Sequence, residues 1–388
     1  MVMSQGSSSV PPASPTVEES QRLVREFIDD ILINILDQVS LSPSESRPCI
    51  TLRRRSNQTQ CTINSQTRAL EARLNDEAYH SHSWPGRTPF ESWKFTVIIR
   101  ILSIIDEAIC TEQLISKRDI YYIDPAYFKS QATVNAVVDD LAFTIGVDRT
   151  FLNIEAASKG LVAGRFQLER ESRVIVDASS GEDTMIPRVQ GSDTIDIEGV
   201  RWVFIIEKEA VFHRLARSNY PKRAISGDGI LITGKGYPDV STREFAHQLF
   251  IASRRYDRPP HFYALMDSDP HGMAIMSTYK YGSMAHLHEN ARLSLPGLEW
   301  LGVRLTDAIL ASESPGAGRV LSLTANDRRK ILAMLRKNPV WASDGPEREW
   351  VTELHRMLLL NVKAEIEILY EREGGLEAWI DRKLFRQE

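Results

Sequence analysis

From Gly199 onward the chain alternates short apolar runs with helix-period stretches, and this rhythm restricts it to an α/β architecture with a parallel sheet. Trp202 to Ile206, Gly229 to Thr233 and Phe262 to Met266 are near-continuous apolar runs, the length of strands buried on both faces and too short for core helices. Ala210 to Ser218, Ser241 to Ala252 and Gly272 to Tyr279 carry apolar residues at helical spacing and would cover that sheet. In such sheets functional residues gather at the carboxyl ends of strands. Three polar clusters stand at those ends: Glu207, Gly234-Lys235-Gly236, and the pair Asp267 and Asp269.

Glu207, Asp267 and Asp269 supply hard oxygen donors without histidine or cysteine, which suits Mg²⁺ or Mn²⁺ and argues against zinc. A metal held there polarises a phosphoryl oxygen or a leaving oxygen in phosphoryl transfer. The plainer alternative is that such acids cap helices or face solvent. Gly229 to Gly236 imitates a nucleotide-binding loop, but its middle is strand and Gly236 stands where a Mg²⁺-binding Ser or Thr is needed. Lys235, and Lys159 in Ser158-Lys159-Gly160, are candidate DNA contacts instead.

Ahead of this region the pattern is helical. Residues 1–17 are rich in Ser and Pro and read as a disordered tail. Residues 18–45 hold an amphipathic helix, Glu18 to Val39, which is either a partner-docking element or a first helix folded onto its own domain. The basic stretch with Arg53-Arg54-Arg55 is either a solvated face or a phosphate-contacting arm. Helices are expected over Phe95 to Ile109, Thr111 to Ile123 (stopped by Asp124-Pro125) and Phe128 to Ile145, followed by a hairpin of Phe151 to Ala156 and Leu161 to Leu168. Three helices and then a hairpin is the order of a winged helix, giving an N-terminal winged-helix (CAP-like) domain over 50–168, a polar linker over 169–198, and an α/β domain over 199–388 with a helical tail that includes Glu347 to Tyr370.

On the second of these helices lies Lys117-Arg118-Asp119-Ile120-Tyr121-Tyr122. Arg118 and Tyr122 are four residues apart and share a helical face, whereas Tyr121 points elsewhere and packs. A phenol with its pKa near 10 needs a nearby cation to act as a nucleophile at neutral pH, and Arg118 is placed to provide one. By spacing alone a Tyr-Tyr pair is as compatible with core or surface. A tyrosine nucleophile and a metal site together are the equipment for cutting DNA while holding the broken end covalently.

Composition adds bounds. A formal net charge of −5 over 388 residues argues against indiscriminate coating of nucleic acid, though not against a local basic groove. The three cysteines lack metal-ligand spacing or an even count for a disulfide framework, which fits a reducing compartment. No apolar run reaches the ~20 residues of a membrane span.

Five motifs occur in the order of a known family: Arg118-Asp119-Ile120-Tyr121-Tyr122, Ser158-Lys159-Gly160-Leu161-Val162, Ile206-Glu207-Lys208-Glu209-Ala210, Thr233-Gly234-Lys235-Gly236-Tyr237-Pro238-Asp239 and Asp267-Ser268-Asp269-Pro270-His271-Gly272. From roughly Arg87 to the C-terminus the chain resembles the A-subunit family of topoisomerase VI, in its meiotic recombination (sporulation-eleven) branch. The resemblance implies that the α/β domain is a metal-binding Toprim domain. It implies Tyr122 as nucleophile, Arg118 as its helper, and Glu207, Asp267 and Asp269 as ligands of Mg²⁺ or Mn²⁺. It further implies a homodimer pairing each protomer's tyrosine with the other's metal, a 5′-phosphotyrosyl link on double-stranded DNA, a separate topoisomerase VI B-like partner that binds ATP, other meiotic break-forming proteins, and a nuclear location. Two alternatives share these motifs: a vegetative decatenating topoisomerase component, and a DNA-binding scaffold that does not cut.

Overall fold

The computed structural model describes residues 17–385, apart from 43–44, 54, 56–60, 73–78, 156–157, 179–181, 191, 285–286, 288, 313–319 and 372–373. The tail expected over 1–17 thus lies, up to residue 16, outside the described residues, as does Arg54. The chain divides into two compact units, one of Met1–Arg55 and Asp76–Ala156, the other of Ser56–Asn75 and Ala157–Glu388. Among the described residues no helix is long and apolar enough to cross a membrane.

The first unit is built from helices α1 (Val17–Val39), α2 (Pro89–Cys110), α3 (Lys117–Ile123) and α4 (Gln131–Ile145). One core joins them: Val24 and Ile28 of α1, Ile98, Ile101 and Ile105 of α2, Ile120 of α3, and Val134, Val137, Val138 and Leu141 of α4. Their ends follow local chemistry. Thr88 caps α2 with Pro89 behind it, Ser130 caps α4, and Gly146 closes α4 in the left-handed conformation at φ 81°. An antiparallel pair, Cys49–Arg53 with Tyr79–Ser83, completes the unit. Arg55 of the basic stretch is not a free arm, since its Nε lies 2.6 Å from Asp140 Oδ1 and its Nη1 3.5 Å from Asp139 Oδ2.

Three expectations need correction here. The helix expected from Thr111 begins only at Lys117, because Ile115–Ser116 is extended and pairs in parallel with Ile154–Glu155. The helix expected from Phe128 begins at Gln131, because Pro125–Phe128 forms a separate turn and Lys129 takes φ 63°. Among the described residues the two arms expected to form the hairpin do not pair with each other: Arg149–Leu152 is a 3₁₀ turn, Ile154–Glu155 pairs with Ile115–Ser116, and Leu161–Gly164 joins the sheet of the second unit. The first compact unit accordingly ends at Ala156 rather than near residue 168.

The second unit contains a six-stranded sheet of β1 (Leu161–Gly164), β2 (Thr184–Met185), β3 (Trp202–Ile206), β4 (Gly229–Thr233), β5 (His261–Leu265) and β6 (Leu298–Gly302), in the spatial order β2-β1-β4-β3-β5-β6. Strands β4, β3, β5 and β6 are parallel, while β1 and β2 extend the sheet antiparallel. Every residue of β3 and β4 is buried, which explains their unbroken apolar composition. Alternate side chains feed two cores: Val203 and Ile205 enter one, Trp202, Phe204 and Ile206 the other.

Residues 169–198 are not a linker. They contribute Arg173–Asp177 and Thr194–Asp196 to a small antiparallel sheet around Gln167–Arg170, as well as β2. The tail expected to be helical from Glu347 to Tyr370 is an α-helix only over Arg348–Leu360, with a short 3₁₀ helix at Ile366–Leu369. Asn361 ends the α-helix at φ 56°, and Val362–Lys363 then pairs with Leu321–Ser322. Ala364 next exchanges two backbone hydrogen bonds with Ser268, which fixes the segment 364–367 beside the loop after β5.

Candidate active site

In the first unit, α3 opens with a reciprocal cap: Ser116 accepts from the Asp119 amide at 3.1 Å, and Asp119 accepts from the Ser116 amide at 2.8 Å. Hydrogen bonds to the carboxyl from the Ser116 amide and from the Ser116 hydroxyl hold Asp119 below its ordinary range. Lys117 is ion-paired to Asp139, which ties the start of α3 to α4. With Ile120 fully buried, the helix is fixed in rotation. Tyr121 is half-buried against the core, Tyr122 is 68% exposed, and their ring centroids are 5.5 Å apart. Arg118 is exposed one turn before Tyr122 on the same face.

In the second unit, the parallel register of β3 and β5 pairs Ile206 with Leu265, so the two strands deliver their acids to the same sheet edge. Glu207 and Asp267 are both buried, and the Asp267 amide donates to Glu207 Oε2 at 2.9 Å. Asp269 caps the helix Pro270–Lys280, its Oδ1 accepting from the amides of His271 (2.8 Å) and Gly272 (2.7 Å). Gly272 has no room for a side chain: an added Cβ would lie 2.4 Å from Asp267 O and 2.8 Å from Glu207 Oε2. Asp267 Oδ1 accepts from the Ile366 amide at 2.9 Å. Its Oδ2 lies 3.2 Å from Lys208 Nζ, which also reaches Glu365 Oε2 at 3.1 Å and Glu367 Oε2 at 2.6 Å.

The electrostatics follow from this packing. Burial, reinforced by the Asp267 carboxylate, pushes Glu207 well above the usual carboxylate range. Burial also pushes Asp267 up, against the pull of the Lys208 ammonium. Burial opposes charge on Lys208 as well, but Glu367, Asp267 and Glu365 together hold it above its ordinary value. Among the described residues no group of three or more His, Cys, Asp or Glu side chains stands in metal-holding geometry. The donor chemistry nevertheless fits a hard divalent cation, since all three groups are carboxylates and two of them are buried where a cation would stabilise their charged form.

The two lysines are separately placed. Lys235 takes φ 54° in the turn after β4 and pairs through Nζ with Glu209 Oε1 at 2.9 Å. Lys159 is exposed, and its amide donates to Asp239 Oδ2 at 3.0 Å. Sequence patterns missed Lys208, Glu365 and Glu367. Adjacency to Glu207 was the one available signal for Lys208. Glu367 is 159 positions away from it, beyond any local pattern.

Two family models match the chain. One, for the Toprim domain of the topoisomerase 6 A-subunit/Spo11 proteins, covers residues 202–383; the other, for type IIB DNA topoisomerase, covers residues 93–154. Meiotic recombination protein rec12 of Schizosaccharomyces pombe is 30% identical over 369 residues, which is 94% of this chain and 95% of that protein. The chain belongs to the topoisomerase 6 A-subunit/Spo11 family.

Its match to the Toprim model of the topoisomerase 6 A-subunit/Spo11 family starts at the first residue of β3 and contains Glu207, Lys208, Lys235, Asp267, Asp269, Glu365 and Glu367. The type IIB match contains Arg118, Tyr121 and Tyr122, and Lys159 falls between the two. Human meiotic recombination protein SPO11 is 33% identical, with 73% of this chain and 68% of that protein aligned. The DNA topoisomerase 6 A-subunit of Arabidopsis thaliana is 32% identical over 71% of this chain and 62% of its own length.

Proposed function

We propose that this chain makes the DNA double-strand breaks that initiate meiotic recombination, by a transesterification in which Tyr122 is the nucleophile. The observation that carries this reading is Tyr122 itself: it is exposed on a capped, core-anchored helix, with Arg118 on its face, within the segment matching type IIB DNA topoisomerases.

Tyr122 Oη forms a bond to a backbone phosphorus as the bond from phosphorus to the 3′-oxygen breaks. The phenolic proton departs and the leaving 3′-oxygen takes one up, so one phosphodiester is exchanged for another and this chain needs no ATP. Arg118 lowers the cost of the phenolate and of the charge on the transferring phosphoryl group. A divalent cation such as Mg²⁺, held by Glu207, Asp267 and Asp269, would supply positive charge to the phosphate oxygens. Asp269, anchored by two amides, and Asp267, anchored by the Ile366 amide, keep those carboxylates oriented. Lys235 and Lys159 contact DNA phosphates.

Following the family pattern, two protomers cut one duplex in the nucleus, each tyrosine working with the acids of the other. A topoisomerase VI B-like partner supplies ATP turnover, and it docks on the part of α1 that carries Leu32, Leu36 and Val39, which are exposed while Val24 and Ile28 are buried. The test is recovery of the protein from meiotic cells under denaturing conditions, followed by end-labelling of attached DNA. Short DNA on the wild type and none on Tyr122→Phe is expected. Normal breaks without attached DNA would sink the assignment. The similarity to the Arabidopsis topoisomerase favours a second reading, a decatenating enzyme component, which reclosure of cut DNA would reveal.

A further inference from the structure

We propose that Lys208 is an internal cation that competes with a divalent metal for Asp267, with Glu365 and Glu367 as the place to which it withdraws. The inference rests on the reading of Glu207, Asp267 and Asp269 as metal ligands. An ammonium group has three N–H donors, and here each faces a different carboxylate: Asp267 Oδ2 at 3.2 Å, Glu365 Oε2 at 3.1 Å and Glu367 Oε2 at 2.6 Å. Of these partners Asp267 is the most buried and the most distant from Nζ, while Glu365 and Glu367 are the more exposed. Lys208 is therefore already weighted toward Glu367, with Glu365 and the aspartate held at nearly equal distance.

Asp267 has little freedom of its own. The Ile366 amide holds its other oxygen, and the two backbone bonds between Ser268 and Ala364 keep Glu365 and Glu367 beside it. A divalent ion on Asp267 Oδ2 would stand next to the ammonium, and in a partly buried setting that repulsion is strong. Withdrawal of Nζ onto Glu365 and Glu367 relieves it without exposing an unpaired charge. The arrangement lets the acids tolerate one another's negative charge through Lys208 and exchange it for metal when substrate and cation are both present.

The test is titration of the full-length protein with Mn²⁺, following free Mn²⁺ by electron paramagnetic resonance, so that no cleavage is required. Lys208→Met is expected to bind Mn²⁺ about tenfold more tightly, because the competing charge is gone. The Glu365→Gln/Glu367→Gln pair is expected to bind it about fivefold more weakly, because Lys208 then stays on Asp267. Adding Lys208→Met to that pair should erase the weakening, a coupling that loss of packing alone would not produce. Lys208→Arg, which keeps the charge, should restore wild-type affinity. Thermal melts without added metal identify any variant that fails to fold; the glutamates, being more exposed, carry the test if Lys208→Met unfolds. Weaker Mn²⁺ binding by a folded Lys208→Met, or unchanged binding by the glutamate pair, would overturn the competition. If the wild type binds Mn²⁺ and Asp267→Asn does not, such a result overturns this inference alone. Equal lack of binding by both overturns the reading of the acids, and the inference with it.

Discussion

The backbone amide of Asp267 is bonded to the side chain of Glu207, so one acid of the site is held in place by the loop that carries another. The bond crosses between neighbouring parallel strands whose register is set by buried apolar residues on both faces. Placement of the acids is thus a consequence of sheet packing, and small changes in the packing around them shift the acids directly.

Gly272 is the most exposed of these positions to such a change. Gly272→Ala puts a methyl group within 2.4 Å of a backbone carbonyl and 2.8 Å of Glu207 Oε2, and neither can yield without moving an acid. We expect a loss of about 1–3 kcal/mol in urea unfolding and a larger, roughly hundredfold, fall in covalent DNA recovery. Wild-type recovery from Gly272→Ala would show that the acids do not need this close approach.

The paired tyrosines should separate stability from chemistry. Tyr122 is largely exposed, so Tyr122→Phe is expected to change stability by less than about 0.5 kcal/mol while abolishing DNA attachment. Tyr121→Ala removes a half-buried ring from the core of the first unit and should cost about 1–2 kcal/mol. Urea titrations of both variants, beside covalent-complex yields, check the two halves.

Along α1 the same contrast runs from one face to the other. Ile28→Ala, deep in the core, is expected to cost about 2–4 kcal/mol. Leu36→Ala should alter stability by less than about 0.5 kcal/mol, because its side chain is 65% exposed. Thermal denaturation reads both. Leu36→Lys should in addition reduce co-purification of the B-type partner, if that partner docks on this helix.

His247 gives a pH dependence of defined sign. Burial holds its imidazole below the ordinary value, with Arg254 and Arg243 adding to the effect against the bond to the Ser294 carbonyl at 2.7 Å. The unfolded chain therefore takes up a proton at higher pH than the folded one does. The contribution is fully present above about pH 6.5 and is lost progressively as the pH falls below that value. Between about pH 7.5 and about pH 5.5, wild type should lose more stability than His247→Gln in matched urea unfolding series. Parallel pH profiles would remove His247 from the account.

Much of the second unit was legible because its strands are buried on both faces. Trp202–Ile206 and Gly229–Thr233 lie where the apolar runs end, and no polar residue interrupts them. Leu161–Gly164 cannot be placed from sequence for a different reason. It too is an apolar run, but its partner Gly229–Thr233 is distant in sequence, and adjacency to Phe151 suggested a hairpin instead. The strand Arg173–Asp177 hid among polar residues because most of its side chains are exposed. At the C-terminus helical periodicity reads straight through Asn361, and a left-handed residue there leaves no mark in the apolar pattern. The acids could be seen as polar stops after strands. The contact from Lys208 to Glu367 could not, because it depends on that same turn at Asn361.

The chain passes between its two units at residues 55–56, 75–76 and 156–157, so the second unit is discontinuous in sequence. Its early piece is not ornamental: Leu70 is fully buried in the larger core of that unit, its amide bonds Tyr281 O at 2.7 Å, and its carbonyl accepts from Asn290 at 2.9 Å. On the ribosome, this strip emerges long before the sheet it belongs to and must wait for residues some two hundred positions later. Synthesis at about 5–20 residues per second makes that wait at least ten seconds or so, during which Leu70 has no native socket. A protease cut near residue 156 would not release two self-sufficient halves, and a fragment beginning there would display an apolar slot that attracts chaperones or other chains.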